Sequence, residues 1–173
     1  MKKLITILAL TALFLFRAAP VSAQASVAES SAILKINVSD ADRRIDTLEA
    51  FLEKYNSPLA PYSQVFIATA DKYGLDWRLI PAITGVESTF GKRIPYNSYN
   101  AYGWANGEYR FTSWEESIAI VGEALRTKYE DKGAVSINQI ARRYAPPSSS
   151  WAGKVKFFMR KIEAYPVDFD LEV

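Results

Sequence analysis

One carboxylate is set apart by where its helix would put it. In the run Leu79 to Gly91, the residues Leu79, Ile83, Val86 and Phe90 recur at +4, +3 and +4, the spacing of one buried helix face. Glu87 stacks over Ile83 and Ile80 and beside Phe90, not on the opposite, wet face. Gly91 supplies the left-handed residue expected to end the helix, which puts Glu87 in its last turn. Poor solvation and the negative end of the helix dipole would both favour the protonated carboxyl there. A carboxyl that keeps its proton near neutral pH can act as a general acid. The plain alternative is an ordinary helix-edge carboxylate.

The next stretch carries material for binding. Tyr96, Tyr99, Tyr102, Trp104, Tyr109 and Phe111 are interleaved with Asn97, Asn100, Asn106 and two glycines. Aromatic faces stack on the C–H faces of sugar rings, and amides meet the hydroxyls. The segment has no helical period. It is read as a loop, or as a short hairpin turning at Asn106-Gly107. The alternative for these rings is packing against the domain.

Composition narrows the chemistry further. The chain has no His and no Cys. Ser-His and Cys-His nucleophiles, disulfides and the usual His-containing zinc sites are thereby excluded. No Ser is followed by Lys at +3, so a penicillin-binding type of centre is excluded as well. Carboxylate-driven glycoside chemistry fits what remains, and no cofactor or metal is expected. If Lys2, Lys3 and Arg17 leave with a signal peptide, the 21 basic residues fall by three to 18, against 19 acidic ones. That balance implies no nucleic-acid partner.

The elements that must position these residues follow in chain order. Residues 1–23 read as a secretory signal: Lys2 and Lys3, an apolar core from Leu4 to Phe16, and Val21-Ser22-Ala23 before the cut. The core is short of the ~20 residues of a membrane span, and an uncleaved N-terminal anchor is the alternative to cleavage. Residues 24–39 form a linker, residues 40–165 one domain and residues 166–173 an acidic tail. Asp40 caps a helix with Ile45, Leu48, Leu52 and Tyr55 inward. A second helix begins near Pro61, faces inward through Tyr62, Val65, Phe66, Thr69 and Tyr73, and stops at Gly74. Asp76 caps the central helix, and Pro81 should bend it or tighten its start. Ser113 with Glu116 and Ser136 with Gln139 are capping boxes for two further helices. The first should bury Ile118, Val121, Leu125 and Tyr129, and the second runs through Ile140 and Tyr144 to Pro146-Pro147. A last helix from Trp151 buries Trp151, Val155, Phe158, Met159 and Ile162. The fold class is all-α.

The run Gly85-Val86-Glu87-Ser88-Thr89-Phe90-Gly91 resembles the Glu-Ser-x-Phe/Trp-Gly signature of lysozyme-like peptidoglycan-cleaving enzymes. Asn100-Ala101-Tyr102-Gly103 is similar to the Asn-x-Phe-Gly motif of the bacterial endo-β-N-acetylglucosaminidase family within that superfamily. Phe111 to Ile118 is similar to the family's aromatic-x-Ser…Ser-Ile segment. Tyr144-Ala145 before Trp151 and Val155 resembles its Tyr-Ala-Thr-Asp…Tyr…Lys-Val segment. The likeness spans about Tyr62 to Ile162. The chain departs from the pattern at Tyr102 (for Phe), at Trp104-Ala105 (for Ile-Lys) and at Pro146-Pro147 (for Thr-Asp).

The resemblance implies a lysozyme-like helical domain whose 96–111 segment forms one wall of a cleft. It implies Glu87 as catalytic acid, Tyr144 opposite it as the candidate catalytic residue that stabilises the N-acetyl group or the attacking species, and an exported β-N-acetylglucosaminidase cleaving β-1,4 bonds between the amino sugars of peptidoglycan. The enzyme would be a monomer, secreted to the cell wall or periplasm. Glu108 is the candidate second carboxylate. Tyr99, Asn100, Tyr102 and Trp104 are the candidate sugar contacts. The rival readings are a lytic transglycosylase and a wall-binding module without catalysis.

Overall fold

The first two turns of the central helix are buried on every side, because nearly all of their residues are apolar or small. The computed structural model describes residues 43–166. In that span α1 covers residues 43–54, α2 Ser63–Tyr73, α3 Leu79–Ser88, α4 Trp114–Ala124, α5 Ile137–Tyr144 and α6 Trp151–Glu163. No strand occurs among the described residues, so the class is all-α. The expected signal, the linker, the Asp40 cap and the tail beyond Pro166 lie outside them. None of the described helices is long and apolar enough to cross a membrane.

Leu79 through Gly85 are all buried, which a one-sided face would not require. The cause is that α3 packs chiefly on α6 and is also covered by α2 and α4. Each fully buried Leu or Ile contributes roughly 1.5–3 kcal/mol. Pro81 falls inside the first turn of α3, where amides have no intrahelical acceptor, so the helix runs on without it. Asp76 does not stand at the N-cap itself; its carboxylate accepts the Arg78 N–H at 3.0 Å, two residues on. Arg78 also pairs with Glu163, tying the start of α3 to the end of α6. Burial works to raise the Asp76 carboxyl, but hydrogen bonds from Arg78 outweigh it and hold it below its ordinary value.

α1 buries Leu48, Phe51 and Leu52, and the Phe51 ring meets Phe90 edge-on at 5.5 Å. α2 ends at Gly74 in the left-handed conformation, as expected. Ser113 caps α4 through the Glu116 amide, but Glu116 reaches Thr112 and not Ser113, so the box is displaced by one residue. The Ser136–Gln139 box forms both of its bonds. α4 does not run on as one helix to Lys132. It passes into a π turn at Leu125–Tyr129 and a 3-10 turn at Glu130–Lys132.

Candidate active site

Glu87 ends α3 with its side chain exposed, against the expectation of a poorly solvated carboxyl. The rest of its signature fixes the backbone around it. The helix stops at Thr89, not Gly91, with Thr89 (φ 54°), Phe90 (φ 57°) and Gly91 (φ 77°) all left-handed. That geometry is costly for Phe90. It is held because the Phe90 ring is locked in the core, edge-on to Phe51 and to Phe158. Gly85 makes the room: a Cβ there would stand 2.6 Å from the Phe90 ring.

Ser88 is the stitch between helix and loop. Its Oγ lies 2.9 Å from the Ala101 carbonyl, 3.0 Å from the Thr84 carbonyl, and accepts the Gly91 N–H at 2.9 Å. A hydroxyl has one proton to give. The Thr84 carbonyl already takes the Thr89 and Phe90 amides, so the proton is best used on Ala101.

The loop after α3 holds no hairpin, because one side chain takes over the work of a ladder. Asn100 donates to the carbonyls of Trp104 (2.9 Å) and Tyr109 (3.0 Å) and accepts the Trp104 amide at 3.0 Å. Asn100 is buried and fully occupied, so it is a loop-builder and not a free sugar contact. Tyr102 is likewise withdrawn into the core, at 1% exposure. Burial pushes its phenol well above the ordinary value. No hydrogen-bond partner reaches that hydroxyl among the described residues. Tyr99 is half-buried, edge-on to Trp114 at 5.3 Å. Of the four expected sugar contacts, Tyr102 and Trp104 line a cavity. Glu108 is exposed just past the 104–107 turn and does not line the cavity.

Two residues of the C-terminal half complete the surroundings of Glu87. The Trp151 indole Nε1 donates to Glu87 Oε1 at 2.6 Å. Tyr144 stacks on Trp151, centroids 4.9 Å apart, and its hydroxyl donates to the Tyr102 carbonyl at 2.8 Å. Tyr144 therefore reaches Glu87 through Trp151 and the loop backbone. Burial, and after it the Glu87 carboxylate, push the Tyr144 phenol well above its ordinary value. It is a hydroxyl donor throughout the neutral range. On the other side of Glu87, a Cβ on Gly103 (φ 64°) would come 3.2 Å from Oε2. Glycine is favoured there both by its backbone and by the carboxylate.

Gly103 leads into a cavity of about 320 Å³ lined also by Trp104, Asn106, Lys128, Tyr129 and Tyr144. A larger cavity, about 530 Å³, lies between α5 and the start of α6 and includes Arg142, Pro147 and Ser149. Glu87 lines neither, but its Oε2 side abuts the first through Gly103. Trp151, Lys128 and Tyr129 were not singled out by sequence as site residues. The available signal was Trp151: a buried indole N–H needs an acceptor, and an apolar stripe supplies none. No cluster of three or more metal-ligating side chains occurs among the described residues. Neither a protein-family model nor a curated protein matches the chain.

Proposed function

We propose that the chain is an exported glycosidase of the endo-β-N-acetylglucosaminidase type, cleaving β-1,4 bonds between amino sugars of peptidoglycan. Glu87 is its general acid, and the 96–111 loop is one wall of a lysozyme-like cleft. The observation that carries this reading is the pinning of one Glu87 oxygen by Trp151 beside an aromatic-lined cavity. An indole N–H can only donate. Oε1 must accept, so the acid proton falls on Oε2, the oxygen next to Gly103 and the cavity. That proton passes to the glycosidic oxygen as the C–O bond breaks, and water adds to the sugar carbon left electron-poor, giving its proton back to the Glu87 carboxylate.

No Asp or Glu side chain is among the residues that line the cavity, and this favours a route with a single carboxylate. The substrate's own N-acetyl group can then meet the developing charge. The same observation favours a second reading, lytic transglycosylase action. There the sugar's 6-hydroxyl attacks in place of water and its proton returns to Glu87. Digestion of purified cell wall followed by mass spectrometry tests both. A reducing N-acetylglucosamine end supports the hydrolase, and an anhydro-muramyl end the transglycosylase. Glu87→Gln should lower release by roughly 10²–10⁴ with the melting temperature unchanged. No fragments from wild type, or full release by Glu87→Gln, would overturn the proposal.

A further inference from the structure

The cavity beside Glu87 Oε2 has a charge of its own. Lys128 lines it, and no carboxylate does. Lys128 is exposed, and among the described residues no ion pair or hydrogen bond occupies its ammonium group. The contrast with its neighbour is direct. Arg126 belongs to the same turn and is used up by Glu130 at 3.2 Å and Asp131 at 2.9 Å. The Lys128 Nζ stands over the Trp104 ring, 5.9 Å from its centroid, at the outer limit of a cation–π contact. That contact leaves the charge free to meet a ligand.

The backbone there is also unusual. Leu125–Tyr129 is a π turn interrupting a run expected to be plain α-helix. One extra residue per turn rotates the side chains that follow by about 100°, and such turns recur at functional sites. Lys128 and Tyr129 both line the cavity from this turn, and the Tyr129 ring lies 6.0 Å from that of Tyr144. A neutral sugar chain gives an ammonium group only hydroxyls and amides. A carboxylate carried on the sugar gives it a partner of opposite charge.

We infer that Lys128 is a specificity residue that selects amino-sugar chains bearing a carboxylate over neutral ones. This rests on the proposed glycosidase reading and names its substrate class more narrowly. The carboxylate has two sources in peptidoglycan: the lactyl ether of the muramyl sugar, or the peptide attached to it. Binding measured by calorimetry on the full chain in a Glu87→Gln background separates them. The ligands are a neutral chitin tetramer, a peptide-free tetrasaccharide of alternating N-acetylglucosamine and N-acetylmuramic acid, and its peptide-bearing form. At least one acidic ligand should bind several-fold more tightly than chitin. Adding Lys128→Gln should erase that preference by about fivefold, the scale of one exposed ion pair. Lys128→Arg should retain it, and high salt should weaken it. Preference for the peptide-free ligand assigns the lactyl carboxylate, and preference for the peptide-bearing form alone assigns the peptide. Equal binding of all three, or an equal loss for all three on Lys128→Gln, overturns the inference and leaves the glycosidase reading standing. No binding to any of them defeats the glycosidase reading and the inference with it.

Discussion

Ser88→Ala isolates the joint between α3 and the loop that flanks Glu87. The hydroxyl removed accepts the Gly91 amide at 2.9 Å and sits 2.9 Å from the Ala101 carbonyl. Both of those residues are buried, and so is Ser88 at 3% exposure, so water has little access to replace it. The Thr84 carbonyl keeps its two backbone donors and loses little. The cost is then one orphaned N–H and one orphaned carbonyl, about 2–6 kcal/mol at 1–3 each. For a domain of this size that is a fall of roughly 8–24 °C in melting temperature. Thermal unfolding followed by circular dichroism measures it. The consequence for the site follows by backbone, because Ala101 is two residues before Gly103, and Gly103 abuts Glu87 Oε2. Binding of an amino-sugar oligomer should weaken together with stability. An unchanged melting temperature would show that Ser88 does not hold the loop, and this account of the signature would fail.

Trp151→Phe keeps a ring to stack on Tyr144 but deletes the donor to Glu87. Turnover on cell wall should fall about 10–100-fold, the scale of a charge-assisted hydrogen bond of 1.5–3 kcal/mol. An unchanged rate and pH profile would remove Trp151 from the mechanism. Tyr144→Phe deletes the bond to the Tyr102 carbonyl, so it should lower stability by about 1 kcal/mol and raise KM with kcat nearly kept; a hundredfold loss of kcat would instead make the hydroxyl catalytic. The Asp76 carboxyl is held below its ordinary value of 3.8, so its stabilisation is complete above that pH and is lost as pH falls through the lower folded value. Asp76→Asn should therefore lower the melting temperature at neutral pH and flatten its decline below about pH 4; parallel curves for the two proteins would refute the assignment.

The local signals in the sequence were clear where one residue decides one thing. Gly74 ends α2, and Ser136 with Gln139 opens α5, because each motif contains its own hydrogen-bond solution. The burial of α3 was legible only in part. Thr84, Gly85 and Ala82 look like a weak face in a periodicity count, yet they are small enough to let α6 and α4 come close. The sequence points to Gly91 as the end of α3 because glycine takes the left-handed conformation readily. Only the Phe51 and Phe158 rings, distant in sequence, explain why Phe90 does. Asn100 and Tyr102 read as binding residues by type, and their burial was decided by the loop's path over α4. The Trp151–Glu87 bond crosses 64 residues, and no local pattern encodes it.

The division of labour within the motifs bears on how any activity should be read. Gly85, Ser88, Phe90, Asn100 and Tyr102 are all buried, whereas Glu87 faces solvent. Motifs built this way specify a backbone path and one displayed carboxyl. A substitution at Ser88 or Asn100 can abolish activity through shape alone, so such a loss says nothing about chemistry. Glu87→Gln changes the chemistry at an exposed side chain with the path intact. Trp151→Phe lies between them, since it leaves the carboxyl in place and removes what decides which oxygen carries the proton. If Glu87→Gln reduces cleavage and removes the acid's limb from its pH profile, while Trp151→Phe reduces cleavage and keeps that limb, the acid and the group that orients its proton are separately identified. If both variants fall only in step with their melting temperatures, Glu87 is a helix-edge carboxylate and the cleft is a binding surface.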